Sequence, residues 1–191
     1  MGLGTMSFMV LANVELFSAF TIERLYEIFK KDFIDSPLLL SSPHKSYVID
    51  VGLSHTCKCP FGENPKQERF WHIITKTSNN RRDRGVNPCQ APENQRVYDA
   101  ARAKRIHWIK PIIEQWLSDG DIVHFYERVN GKDTLHIWNK KLDFIVIIRK
   151  ESRSSSRFLV STYVVYRNQR QRYRKRWEKY EAEKPNGMEW F

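Results

Sequence analysis

The side chains best suited to proton transfer lie in two short segments. In Phe70-Trp71-His72-Ile73-Ile74-Thr75-Lys76 the β-branched run predicts a strand over residues 69–76, with Phe70, His72, Ile74 and Lys76 on one face. In Phe158-Leu-Val-Ser161-Thr162-Tyr163 a second strand puts Ser161 and Tyr163 on one face. If both strands join one sheet, an imidazole, a hydroxyl and a phenol converge. Arg102 and Arg105, spaced i, i+3 on an intervening helix, supply positive charge there. That set suits RNA cleavage by transesterification. A base takes the 2′-hydroxyl proton, the oxygen attacks phosphorus, cationic and hydroxyl donors stabilise the phosphorane, and an acid protonates the leaving 5′-oxygen. The product is a 2′,3′-cyclic phosphate. Histidine fits because its ordinary pKa is about 6.5. A lone strand histidine is otherwise a hydrogen-bonded structural residue, and His107, His124 and His136 are further acid candidates.

A metal route has weaker support. His55, Cys57, Cys59 and Cys89 form the only candidate ligand set, and their C-x-C spacing is tight for structural zinc. No phosphate-binding glycine loop, dinucleotide fingerprint, H-E-x-x-H or paired-carboxylate motif occurs, so no cofactor is expected.

The residues that hold a substrate are easier to read. The net charge is +10, from 32 Lys+Arg against 22 Asp+Glu, which attracts polyanions. The surplus gathers in Asn79-Asn-Arg81-Arg82-Asp-Arg84-Gly85 and near the C-terminus. There Arg167, Arg170 and Arg174 follow helical spacing, with Arg172, Lys175, Arg176 and Lys179 on adjoining faces. Tyr166, Tyr173, Trp177 and Tyr180 repeat with the same period and predict the face that docks this helix. Lys76 and Arg102 join Arg167, Arg170 and Arg174 as expected RNA contacts.

These groups need a frame. Residues 21–33 read as a helix with Thr21 as cap, residues 46–51 as a strand, and residues 78–94 as an exposed loop. Residues 95–117 read as one helix bent at Pro111. Beyond it, residues 121–129 and 134–140 flank Asn130-Gly131, a hairpin signal, with strands over 142–149 and 157–166, a flexible turn at 152–156 and a helix over 168–184. The expected class is α+β: an antiparallel meander of about four strands with packed N-terminal and central helices and a basic C-terminal helix. Residues 1–45 read as a helical extension and 46–191 as the functional domain, within one compact unit. Asn13 and Glu15 interrupt the apolar stretch 6–20, which is too short to span a bilayer and lacks the pattern of a secretory signal. Three cysteines, an odd number, suit a reducing compartment, so a cytoplasmic location without membrane contact is expected.

In the order of Phe70-Trp71-His72-Ile73, Arg102-Ala-Lys-Arg105-Ile106-His-Trp108-Ile109 and Phe158-Leu-Val-Ser161-Thr-Tyr163 before a basic helix, the chain resembles a known group. This is the phage- and toxin-associated RNases of the barnase–EndoU–colicin–RelE-like fold. The resemblance covers about the C-terminal two-thirds. It implies a metal-independent endoribonuclease, a toxin or phage-defence effector that cuts tRNA or mRNA under the control of an inhibitory antitoxin or immunity protein. By position, His72 is then the catalytic histidine, Arg105 a phosphate ligand, and Ser161 and Tyr163 the hydroxyl pair. Ser161-Thr162-Tyr163 stands where the group favours Thr-Ala-Tyr. The alternative is a non-catalytic nucleic-acid-binding regulatory protein.

Overall fold

The computed structural model describes residues 11, 18–54, 56–57, 65–77, 96–151 and 156–183. Along the chain these form α1 (Ala19–Phe29), a π-helical turn (Lys30–Ile34), β1 (Leu39–Ser41), β2 (Ser46–Asp50), β3 (Thr56–Cys57), β4 (Lys66–Gln67), α2 (Glu68–Ile74), β5 (Thr75–Thr77) and β6 (Arg96–Tyr98). After these come α3 (Ala100–Ala103), a 3-10 turn (Ile106–Trp108), α4 (Ile109–Glu114), β7 (Ile122–Val129), β8 (Lys132–Asn139), β9 (Phe144–Lys150), β10 (Arg157–Val164) and α5 (Arg167–Glu183). The fold is α+β. It divides into two compact units, one from Met1–Ser36 and Gly52–Pro111, the other from Pro37–Val51 and Ile112–Phe191. The boundary expected between residues 45 and 46 therefore falls inside a stretch that belongs with the C-terminal part.

In the first unit the helix cap is Ser18, not Thr21. The Ser18 Oγ accepts the Thr21 backbone N–H at 3.2 Å, which satisfies a donor of the open first turn. Ile22, Leu25 and Phe29 give α1 its buried stripe. The chain then widens into the π turn, closed by the Asp35 N–H on the Lys30 carbonyl at 2.9 Å, and Phe33 comes to lie 5.2 Å from Phe29. Phe70 continues this aromatic core, 5.5 Å from Phe29 and 5.0 Å from Trp71.

Two readings of this unit are corrected. Residues 69–76 are not a strand: Glu68–Ile74 is helical, and only Thr75–Thr77 pairs, antiparallel with β6. Phe70, Trp71, Ile73 and Ile74 are all buried, an i, i+1, i+3, i+4 pattern that fits a helix against a core and is ambiguous in so short an apolar run. Nor are residues 95–117 one helix. Asp99 caps a new helix by accepting the Arg102 N–H on its Oδ1 at 3.2 Å, and residues 96–98 before it are drawn into the ladder with β5. Pro111 is the third residue of α4, where its missing N–H costs no helical bond, so it starts a helix rather than bending one.

The second unit is built on a six-stranded sheet in the order β1-β2-β10-β9-β8-β7. Neighbours pair antiparallel except β2 with β10, which is parallel. The expected sheet of about four antiparallel strands is thus corrected to a larger, mixed one. The extra strands come from residues 39–50, where Tyr47 and Ile49 alternate inward between exposed Ser46, Val48 and Asp50. Alternation marks a strand but does not say which neighbour it finds. The Asn130-Gly131 turn carries φ of 52° and 75°, as its hairpin chemistry requires.

Candidate nucleic-acid interface

The registers define one face of this sheet. Phe125, His136, Ile147 and Ser161 form one cross-strand row, and Val123, Trp138, Ile145 and Tyr163 form the next. α5 lies on this face: Tyr173 packs with Phe125, Trp138, Ile145 and Val165, with Tyr163, Trp177 and Tyr180 around them. The Tyr163 and Tyr173 hydroxyls share a hydrogen bond. Arg176 grips both oxygens of Glu127 on β7, through Nε and a terminal nitrogen. Burial lowers the pKa of that guanidinium. Arg170 pairs with Asp143 in the β8–β9 turn. Aromatic docking on three of the four expected rings is therefore present, but Tyr166 precedes the helix and is 54% exposed.

The opposite side of α5 is polar and cationic. Six of the ten residues from Arg167 to Arg176 are Arg or Lys and none is acidic. The N-terminal end of a helix carries partial positive charge, so stability alone favours acidic side chains there. Ion pairs account for Arg170 and Arg176 only. Arg167, Arg172, Arg174 and Lys175 are exposed and make no ion pair among the described residues. Asn168, Gln171, Arg172, Lys175 and Arg176 line a shallow depression of about 560 Å³ along one flank, while Arg167, Arg170 and Arg174 occupy the other.

The remaining expected site residues fall elsewhere. Ser161 and Tyr163 do share a face, and Ser161 follows a bulge between Leu159 and Ser161 that shifts the register with β9. His72 does not belong to that sheet. It sits in the last turn of α2, in the first unit, with Nε2 3.2 Å from Glu68 Oε1 one turn earlier. Among the described residues, no strand pairing forms the common sheet that would bring the imidazole beside the two hydroxyls.

Lys76, Arg102 and Arg105 also lie in the first unit. Arg102 donates to the Thr75 carbonyl at 2.8 Å and lies 3.7 Å from Asp99, which Lys76 approaches at 3.8 Å. Arg105 donates to the Ala101 carbonyl at 2.7 Å and stacks over Trp108 at 5.0 Å. Arg102 thereby ties α3 to β5, and Arg105 braces the 3-10 turn. His55, Cys59, Cys89 and the arginines of the 78–94 loop lie outside the described residues, as do residues 152–155 of the expected turn. Of Cys57 only the backbone, in β3, is described. Among the described residues no group of three or more His, Cys, Asp or Glu is placed to hold a metal.

Three features of the second unit escaped sequence reasoning. His136 is 3% exposed, stacked on Phe125 at 4.7 Å and 9°, with Nε2 3.6 Å from Glu127. Burial pushes its pKa down to about 4, so it is a neutral core residue at neutral pH. His124 is not its cross-strand partner, since His124 faces Ile137 and His136 faces Phe125. The signal for the Arg176 clamp was Glu127, an acid on an otherwise inward row of β7. Arg157, 1% exposed, lies over the Tyr47 ring at 4.2 Å, whereas its place in the sequence marks only the start of a strand. No helix among the described residues is long and apolar enough to cross a membrane. Comparisons with known protein families, curated proteins and solved structures find no match to this chain.

Proposed function

We propose that this chain binds RNA through α5, with Arg167, Arg172, Arg174 and Lys175 on the phosphates. The observation that carries this reading is the group of four exposed cations on α5 that make no ion pair among the described residues. Guanidiniums match phosphate oxygens in pairs, and Tyr173, Trp177 and the Arg176–Glu127 clamp hold the helix rigidly beneath them. The test replaces Arg167, Arg172, Arg174 and Lys175 together by Gln and titrates labelled RNA against salt. We expect the slope of log affinity on log salt to fall by about 0.7 for each phosphate that is no longer neutralised. Unchanged affinity and slope would refute the assignment.

A second reading adds metal-independent cleavage to binding, making the protein an endoribonuclease and an effector of toxin or phage-defence type. It is favoured by Ser161 and Tyr163, which share the face that carries α5 and follow a bulge, a device that re-aims side chains beside active sites. In this reading their hydroxyls donate to the phosphorane while the 2′-oxygen bonds to phosphorus, the P–O5′ bond breaks, and the 2′-hydroxyl proton ends on the leaving 5′-oxygen, giving a 2′,3′-cyclic phosphate and a 5′-hydroxyl. An inhibitory partner protein then covers the same cations with acidic side chains. Total RNA incubated in EDTA should acquire cyclic-phosphate ends, and Ser161→Ala should abolish them. Cleavage that survives Ser161→Ala, or binding without any cleavage, removes this second reading and leaves the first intact.

A further inference from the structure

We infer that α5 also reads bases, and that its ligand is a single-stranded RNA segment whose unpaired bases lie against Asn168 and Gln171, with Arg172 and Lys175 on the phosphates beside them. The inference rests on the RNA-binding reading above and goes further than phosphate capture. Phosphates take donors, cations and amide N–H groups alike, and have no use for an acceptor. The depression along α5 adds two amides to its cations, at positions i, i+3, i+4 and i+7, so that all four side chains share one exposed flank. Asn and Gln each offer a donor and an acceptor, the complement of a base edge, and offer little to a phosphate beyond what arginine already gives.

The opposite flank keeps Arg167 and Arg174 for the backbone of the same strand, seven residues or about 10 Å apart along the axis. Just ahead of the helix, Tyr166 is 54% exposed although its neighbour Val165 is buried. Its backbone is fixed on both sides: the N–H donates to Gln169 Oε1 at 3.3 Å, and the carbonyl accepts from Gln169 and Arg170. The ring, more than half exposed, is therefore presented on a fixed backbone next in sequence to Arg167. That is a stacking platform for an unpaired base.

Duplex RNA does not fit this arrangement. Its deep, narrow major groove excludes a helix, and its bases are already stacked on one another.

The experiment measures fluorescence anisotropy with the full chain. The probes are 12-nucleotide 2′-O-methyl RNAs, which transesterification cannot cut, in A-rich, C-rich, G-rich and U-rich single strands. A mixed RNA duplex and a mixed DNA duplex complete the set. Wild type should prefer single strands to either duplex by about ten-fold and discriminate among them. The Asn168→Ala/Gln171→Ala pair should bring the single strands within about two-fold of each other while leaving the salt slope unchanged. Tyr166→Leu should weaken binding by about ten-fold, and Tyr166→Phe should restore it. Circular dichroism of each variant establishes that α5 is retained.

Equal affinity for single strands and duplexes overturns the inference and leaves phosphate binding standing. So does discrimination that persists in the amide variant. Preference for the DNA duplex overturns it in favour of major-groove reading. Failure to bind any probe at low salt overturns both the inference and the function it rests on.

Discussion

At the residue scale the second unit turns on groups whose charge is set by burial. Neutral His136 in the core and an ordinary histidine in the unfolded chain take up protons at different pH. Between about 6.5 and about 4 the unfolded state binds a proton that the folded state refuses, so stability falls as pH drops through that window and levels below it. The depression corresponds to about 3 kcal/mol. Glu127, 3.6 Å away, favours the imidazolium, but Arg176 already neutralises it. Urea denaturation at pH 7, 5.5 and 4 should show the loss, and His136→Leu should flatten it. An unaltered slope in that variant would assign the pH dependence to other groups. Tyr163→Phe leaves the Tyr173 hydroxyl without its partner, at a cost of about 1 kcal/mol. If Tyr163 also donates to a phosphorane, cleavage should fall far more than stability does. Little of this was legible beforehand, because His136, Glu127 and Arg176 are 9 to 49 residues apart and only packing joins them.

At the element scale, local signals were read well where one cause dominates. Asn130-Gly131 fixed its hairpin, the aromatic period fixed the docked face of α5, and alternation found β2 and β10. They failed where two periods fit the same letters. Residues 70–74 suit a strand by composition and a helix by burial, and the neighbouring aromatic core of Phe29 and Phe33 selects the helix. That choice also decides the imagined active site, since on a helix His72 answers to Glu68 rather than to a sheet neighbour. The hold on α5 is testable as an element. Arg176→Leu leaves Glu127 poorly solvated and unmatched, and should cost about 2 kcal/mol. Adding Glu127→Leu should recover most of that loss in the double variant. Independent, additive losses would place the docking energy in the aromatics alone.

At the scale of the whole molecule, composition raises the expectation of a polyanion ligand, and the structure shows which cations of α5 are exposed without an ion pair among the described residues. Lys and Arg occur along the whole chain, but several are engaged in ion pairs or on carbonyls, as with Arg102, Arg149 and Arg170. The α+β class was legible, whereas the pairing partners were not, because hydrophobic alternation is the same for every strand in a sheet. The parallel pair is the clearest case: Arg157 faces Ile49 and Phe158 faces Asp50, more than a hundred residues apart. Such a pairing sets an order on assembly. During synthesis β2 emerges more than a hundred residues ahead of its neighbour β10, so the second unit cannot close its sheet until residues 157–164 exist. Until then β2 has an open edge towards the missing strand, and other strands can compete for it. Nascent chains stalled just before residue 157 should therefore be more protease-sensitive at residues 37–51 than chains released whole.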